Sequence, residues 1–219
     1  MTLRRLLRGS ALALLFASLA CSQILGLEDA ELAPGADAGT GGNAALGTAG
    51  LSGRELTLCQ RFCRTVIEAC GTAPEPGTLA VYDSQFVCER QCEAFDIGAP
   101  GDSSGNSAHC RLTHAELARD FPGERRSECP AAGPGGDGVC GDNCEGYCSV
   151  MLAECSDYDS RETCLASCRD VPDLGGFDIS IVEGDSLQCR LYHLNAAAVS
   201  PENHCPHAAG AFPCAPATD

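Results

Sequence analysis

The sequence predicts a mostly α-helical fold: two tandem, small, disulfide-stapled helical-hairpin repeats with long loops, preceded by a signal peptide and a flexible tether. Three observations carry that expectation. The spacing of Cys59, Cys63 and Cys70 recurs at Cys144, Cys148 and Cys155. A helix turns about 100° per residue, so offsets of four and eleven return to within roughly 40° of the start and put each triplet on one stripe. Aromatic residues make up only 5% of the 219 residues and Trp is absent, so repeats of this size lack the material for a deep apolar core, and the 17 cysteines supply the staples instead. No alternating apolar and polar run marks a strand of useful length.

In chain order, residues 1–20 read as a signal peptide: Arg4, Arg5 and Arg8 form its basic end, and Ala11 to Ala20 a short apolar stretch closed by small residues. That stretch is too short to cross a bilayer. Ser18-Leu-Ala20 followed by Cys21 resembles the lipobox of bacterial lipoproteins, which implies that Cys21 is lipidated and becomes the first residue. By the same resemblance, Ser22 directs sorting to the outer membrane. Residues 21–53 are then the anchor and a tether rich in Ala, Gly, Thr and Asp, with no hydrophobic period from Glu28 onward.

Repeat 1 spans 54–140 and repeat 2 spans 141–219, with eight cysteines each. Other residues match as well: Phe95-Asp-Ile97 with Phe177-Asp-Ile179, Gly101-Asp-Ser103 with Gly184-Asp-Ser186, and Cys110-Arg-Leu-Thr-His114 with Cys189-Arg-Leu-Tyr-His193. Cys129-Pro130 pairs with Cys205-Pro206, and His207 reads as a one-residue insertion. The series implies duplication. Subtracting two sets of eight from 17 leaves Cys21 alone, as lipidation requires.

A first helix is expected from Arg54 to Cys70, stopped by Gly71, with a loop at Pro74 and Pro76. A second is expected near Asp83 to Ala94. Its counterpart starts at Asp159, with Glu162 completing a capping box. Each of these helices carries a Cys-x3-Cys pair, so the two of a repeat can dock antiparallel and join through two rungs: Cys59–Cys92 with Cys63–Cys88, and Cys144–Cys168 with Cys148–Cys164. The arrangement resembles the twin Cys-x3-Cys hairpin of small intermembrane-space chaperones, in these four positions per copy and in geometry alone. A third helix is expected after each Gly-Asp-Ser, running from Leu187 to Ala198 in repeat 2. The remaining expected pairs are Cys70–Cys110, Cys129–Cys140, Cys155–Cys189 and Cys205–Cys214.

All 14 basic residues are Arg. Without the leader, 11 of them face 30 acidic residues, a net of −19. So acidic a surface argues against nucleic acid and anionic lipid as partners, which would need a basic patch. Gly101-Asp-Ser-Ser-Gly105 matches a hydrolase nucleophile pattern around Ser103, but no strand precedes it and the second copy lacks the final Gly, so a helix cap is the expected role. No Cys-x2-Cys is present, which removes thioredoxin-type, zinc-ribbon and haem-attachment chemistry. Asp137 to Asp142 and Asp157-Tyr-Asp159 fit turns and not a calcium loop.

His114 and His193 each follow a cysteine by four residues, where bonding to a loop is the expected role. The second copy adds His204 and His207, and the three histidines of repeat 2 could meet a Zn or Cu ion if the loop folds back onto the third helix. The leading expectation is a non-enzymatic cell-envelope lipoprotein, a structural or binding module needing no cofactor, held at the membrane by its lipid and facing an unidentified envelope partner. The chain as a whole resembles uncharacterised cysteine-rich bacterial lipoproteins. Metal binding through His193, His204 and His207 is the alternative, and a secreted hydrolase using Ser103 the third reading.

Overall fold

A computed structural model of the chain describes residues 56–72 and 79–216. The leader, Cys21, the tether and the loop at Pro74 and Pro76 lie outside the described residues. Within them the fold is helical and carries no strand, only a single bridge between Asp96 and Ser107. Four helices come from each repeat: α1 (Leu58–Cys70), α2 (Gln85–Cys92), α3 (Ala108–Asp120) and α4 (Arg125–Ala132), then α5 (Asn143–Glu154), α6 (Arg161–Cys168), α7 (Leu187–Ala197) and α8 (Pro201–Ala208). No described helix is long and apolar enough to cross a membrane.

Side-chain caps set most of the helix starts. Thr57 and Gln60 form a capping box on α1, and Asp142 and Glu145 form one on α5. Gly71 ends α1 at φ 86°, a conformation that costs glycine little. Two expected caps shift. The cap of α6 is Ser160, boxed with Thr163, because the hydroxyl one residue beyond Asp159 reaches the Thr163 amide. In repeat 1 the cap of α3 is Ser107 and not Ser103, whereas Ser186 caps α7 as expected from Gly184-Asp-Ser186.

Eight disulfides join these helices. The four hairpin rungs are those that the Cys-x3-Cys spacing predicts, with Cα separations of 5.6–5.8 Å. The other four pairs differ from expectation. Cys70 bonds Cys129 and not Cys110; Cys110 bonds Cys140, so Cys129–Cys140 does not form. Cys155 bonds Cys205 and not Cys189; Cys189 bonds Cys214, so Cys205–Cys214 does not form. The reason is a fourth helix in each repeat. Helices α4 and α8 carry Cys129 and Cys205 back to the C-terminal ends of α1 and α5, while the chain beyond them returns to the starts of α3 and α7. There Gly105 N donates to Val139 O at 3.1 Å and Gly184 N to Pro213 O at 3.0 Å, which sets Cys140 and Cys214 beside Cys110 and Cys189. Numbering the cysteines of each repeat one to eight gives the same order of pairing in both: one with five, two with four, three with seven, six with eight.

Arg111 and Arg190, inside the shared Cys-Arg-Leu segments, hold those returning chains. Arg111 is fully buried, donates to the carbonyls of Gly133, Pro134 and Ser107, and lies 3.6 Å from the centroid of the Phe95 ring. Burial lowers its pKa to about 10, so it stays charged at neutral pH. Arg190 donates to Ala209 O at 3.3 Å. Gly133 and Ala209 each follow the helix-ending alanines Ala132 and Ala208, which sets His207 opposite Ala131 with no insertion. The Phe-Asp-Ile triplets are not equivalent in space. Phe95 N and Val171 N make the same bond to the last cysteine of their hairpins, and Phe177 lies further along a longer loop.

Both repeats lie in one compact unit, Ser52–Asp219, around a shared core that includes Phe62, Val66, Tyr82, Tyr147, Met151, Phe177 and Leu191. Polar bonds cross the seam: Ile179 N donates to Ala80 O at 2.9 Å, Asn195 Nδ2 to Val81 O at 3.0 Å and Gln91 Nε2 to Leu194 O at 3.2 Å. Arg90 pairs with Glu154 at 2.7 Å on the same boundary.

Candidate metal centre

The end of α7 and the whole of α8 assemble a histidine cluster. On α7, His193 follows Cys189 by one turn and is buried. Its Nε2 donates to Val182 O at 3.2 Å, which leaves the Nδ1 lone pair facing the cluster. Pro201 occupies the first turn of α8, where a missing N–H costs nothing, and His204 and His207 follow three residues apart on one face. The Cys155–Cys205 bond pins α8 to the C-terminal end of α5.

The three rings converge. His193 Nδ1 lies 3.0 Å from His204 Nδ1, the two rings are stacked with centroids 5.3 Å apart, and His207 stands edge-on to both. Each histidine offers a nitrogen, and these nitrogens all lie within 4.8 Å of one another. A tetrahedral zinc ion holds imidazole nitrogens at 2.0–2.1 Å, which requires separations of about 3.4 Å. The buried His207 Nδ1 has no hydrogen-bond partner, an orphan that a ligand bond would satisfy.

The electrostatics disfavour the charged form of His193 and His204. Burial, then the neighbouring histidines, hold the pKa of His193 below its ordinary value, against the opposing effect of the Val182 carbonyl. His204 is lowered for the same reasons, opposed by Glu202 and Asp83. Neutral imidazole is the form that binds metal.

Repeat 1 supplies an internal contrast. His114 Nε2 meets Ser103 O at 3.2 Å, matching the His193–Val182 bond. Its Nδ1 meets Glu128 Oε2 at 2.5 Å, and Glu128 precedes Cys129 as His204 precedes Cys205. Ala131 stands where His207 stands in repeat 2. Both nitrogens of His114 are thereby engaged with protein oxygens, and a closed His–Glu pair replaces the open triad.

The remaining sequence candidates do not converge on chemistry. Ser103 is exposed in a loop and contributes its carbonyl to His114, and among the described residues no base bonds its hydroxyl. Cys110 with His114 and Cys140, and Cys189 with His193 and Cys214, cluster within ligand distance, but the sulfurs are bonded to each other and are not thiolates. All sixteen described cysteines are in disulfides, the chemistry of an oxidising, extracytoplasmic environment. The sequence reading did not single out Asp83, which comes within electrostatic reach of His204 from the other repeat; only the fold brings the two together. No protein-family model matches this chain, and neither a curated protein nor a solved structure is similar to it.

Proposed function

We propose that this chain is a non-enzymatic metal-binding protein of the cell envelope, holding one zinc-class divalent ion through His193, His204 and His207. The single observation that carries this reading is the convergence of three imidazoles, one of them with a buried unpartnered nitrogen, where the repeat-1 counterpart is closed by Glu128 and Ala131. The disulfides act as the frame: Cys155–Cys205 and Cys189–Cys214 fix α8 and α7 so that the ligands are placed before the ion arrives. Zinc titration of the oxidised chain tests it. One equivalent per chain is expected, abolished in the variant His193→Ala with His204→Ala and His207→Ala and retained in His114→Ala. Equal zinc content in the triple variant contradicts the site.

The cysteine arithmetic supports lipidation of Cys21 as the means of envelope attachment, since every other cysteine is in a disulfide. Cys21→Ser is expected to move the protein from the membrane to the soluble fraction. Unchanged membrane attachment contradicts the anchor.

A further inference from the structure

Away from the histidine site, one cluster of possible metal ligands among the described residues opens to solvent. Cys155, Cys205 and Asp157 each offer a ligand atom, and these atoms all lie within 4.8 Å of one another. They line a recess of about 280 Å³ between the end of α5 and α8. Cys155 is partly exposed there and Asp157 is exposed, whereas Cys110, Cys140, Cys189 and Cys214, which form the other two cysteine-containing clusters, are fully buried. The recess holds two further carboxylates, and both are engaged: Glu154 pairs with Arg90 at 2.7 Å, and Glu202 accepts from Ser200 Oγ at 2.8 Å. Asp157 is the carboxylate set beside the sulfurs. The counterpart in repeat 1 lacks both features. Cys70 and Cys129 are buried, and Thr72 stands two residues past Cys70, where Asp157 stands two past Cys155.

We propose that the Cys155–Cys205 disulfide is a redox gate on a second metal site: once reduced by a dithiol, it presents two thiolates and the Asp157 carboxylate to one zinc-class divalent ion. Exposed disulfides are the reducible, regulatory kind. A thiolate of the reductant attacks Cys155 Sγ, the S–S bond breaks, and Cys205 leaves as a thiolate. The second sulfur of the reductant then attacks the mixed disulfide and releases Cys155. The reductant ends as a disulfide, the protein sulfurs gain two electrons, and the two protons of the dithiol pass to solvent as the ion binds. Thiolate and carboxylate are both ordinary zinc ligands, and three protein ligands with a water complete four-coordination. Disulfide sulfurs are not thiolates, so the oxidised recess offers the carboxylate alone and is closed to the metal. This site shares no ligand with the three histidines.

The test is limited reduction of the full chain with a small dithiol, removed by desalting under nitrogen, followed by alkylation with and without zinc(II) and peptide mass mapping. The hairpin rungs Cys59–Cys92 and Cys144–Cys168, each with one partly exposed cysteine, serve as internal controls. Zinc(II) at about 100 times its Kd is expected to slow alkylation of Cys155 and Cys205 by roughly 100-fold and to leave the freed control cysteines unprotected. Cobalt(II) in place of zinc is expected to give a thiolate-to-metal charge-transfer band, absent in Cys155→Ser with Cys205→Ser. Asp157→Asn, which leaves the disulfide able to form, is expected to weaken zinc protection by at least roughly tenfold, the lower bound for loss of a mere outer partner. Control rungs that open while Cys155–Cys205 stays closed, or zinc protection that is absent or equal at all the freed cysteines, overturn the proposal. Unchanged protection in Asp157→Asn overturns it as well. Zinc uptake by the oxidised chain reports on the histidines alone, so the two sites fail separately.

Discussion

His193 shows how one side chain can be set for ligation. Its Nε2 is tied to Val182, its Nδ1 faces His204, and burial holds it neutral. Because the folded pKa values of His193 and His204 lie below the ordinary histidine value, the stability they contribute is present above that value and lost as pH falls through their folded ones. Zinc affinity is expected to hold through neutral pH and to weaken steeply only below the usual histidine range, by roughly tenfold per pH unit for each proton displaced. Calorimetric titration across pH checks this, and constant affinity down to acid pH would contradict it. Arg111 is the second decisive side chain. Arg111→Leu strips the Gly133 and Pro134 carbonyls of their donor and is expected to cost about 3 kcal/mol in urea unfolding. Arg111→Lys should recover little, because an ammonium lacks the planar fork.

At the scale of elements, Cys-x3-Cys spacing made the hairpins legible, since two sulfurs one turn apart on each of two helices admit an antiparallel ladder and little else. Removing one rung, as in Cys63→Ser with Cys88→Ser, is expected to lower stability by about 2–4 kcal/mol, read in thermal or urea unfolding. The fourth helices were hidden by Pro130 and Pro206, which argue against helix locally but sit late in short helices supported by Cys129 and Cys205. Missing them misassigned four disulfides, because the partner of Cys70 and of Cys155 rides on an element the local pattern conceals. The three histidines were nameable from sequence. Their convergence was not, since it depends on how α8 folds onto α7. Gly146 marks another tertiary constraint: a side chain there would run into the Pro134 carbonyl, so Gly146→Ala is expected to destabilise the chain despite its better helix propensity.

Over the whole molecule, the repeats share one core and exchange hydrogen bonds along their seam, so they behave as one cooperative unit. Asn195→Ala leaves Val81 O without its donor and is expected to cost about 1–3 kcal/mol in a single unfolding transition. Two separate transitions would contradict a shared core. The repeats keep the same disulfide order yet differ where chemistry can occur: His114 is closed by Glu128, and His193 opens onto His204 and His207. The most direct measurement of that difference is X-ray absorption at the zinc edge on the oxidised, zinc-loaded chain. The account predicts a first shell of three imidazole nitrogens with one further light atom and no sulfur. Sulfur in that shell, or a spectrum unchanged by replacing His193, His204 and His207 with alanine, would contradict it.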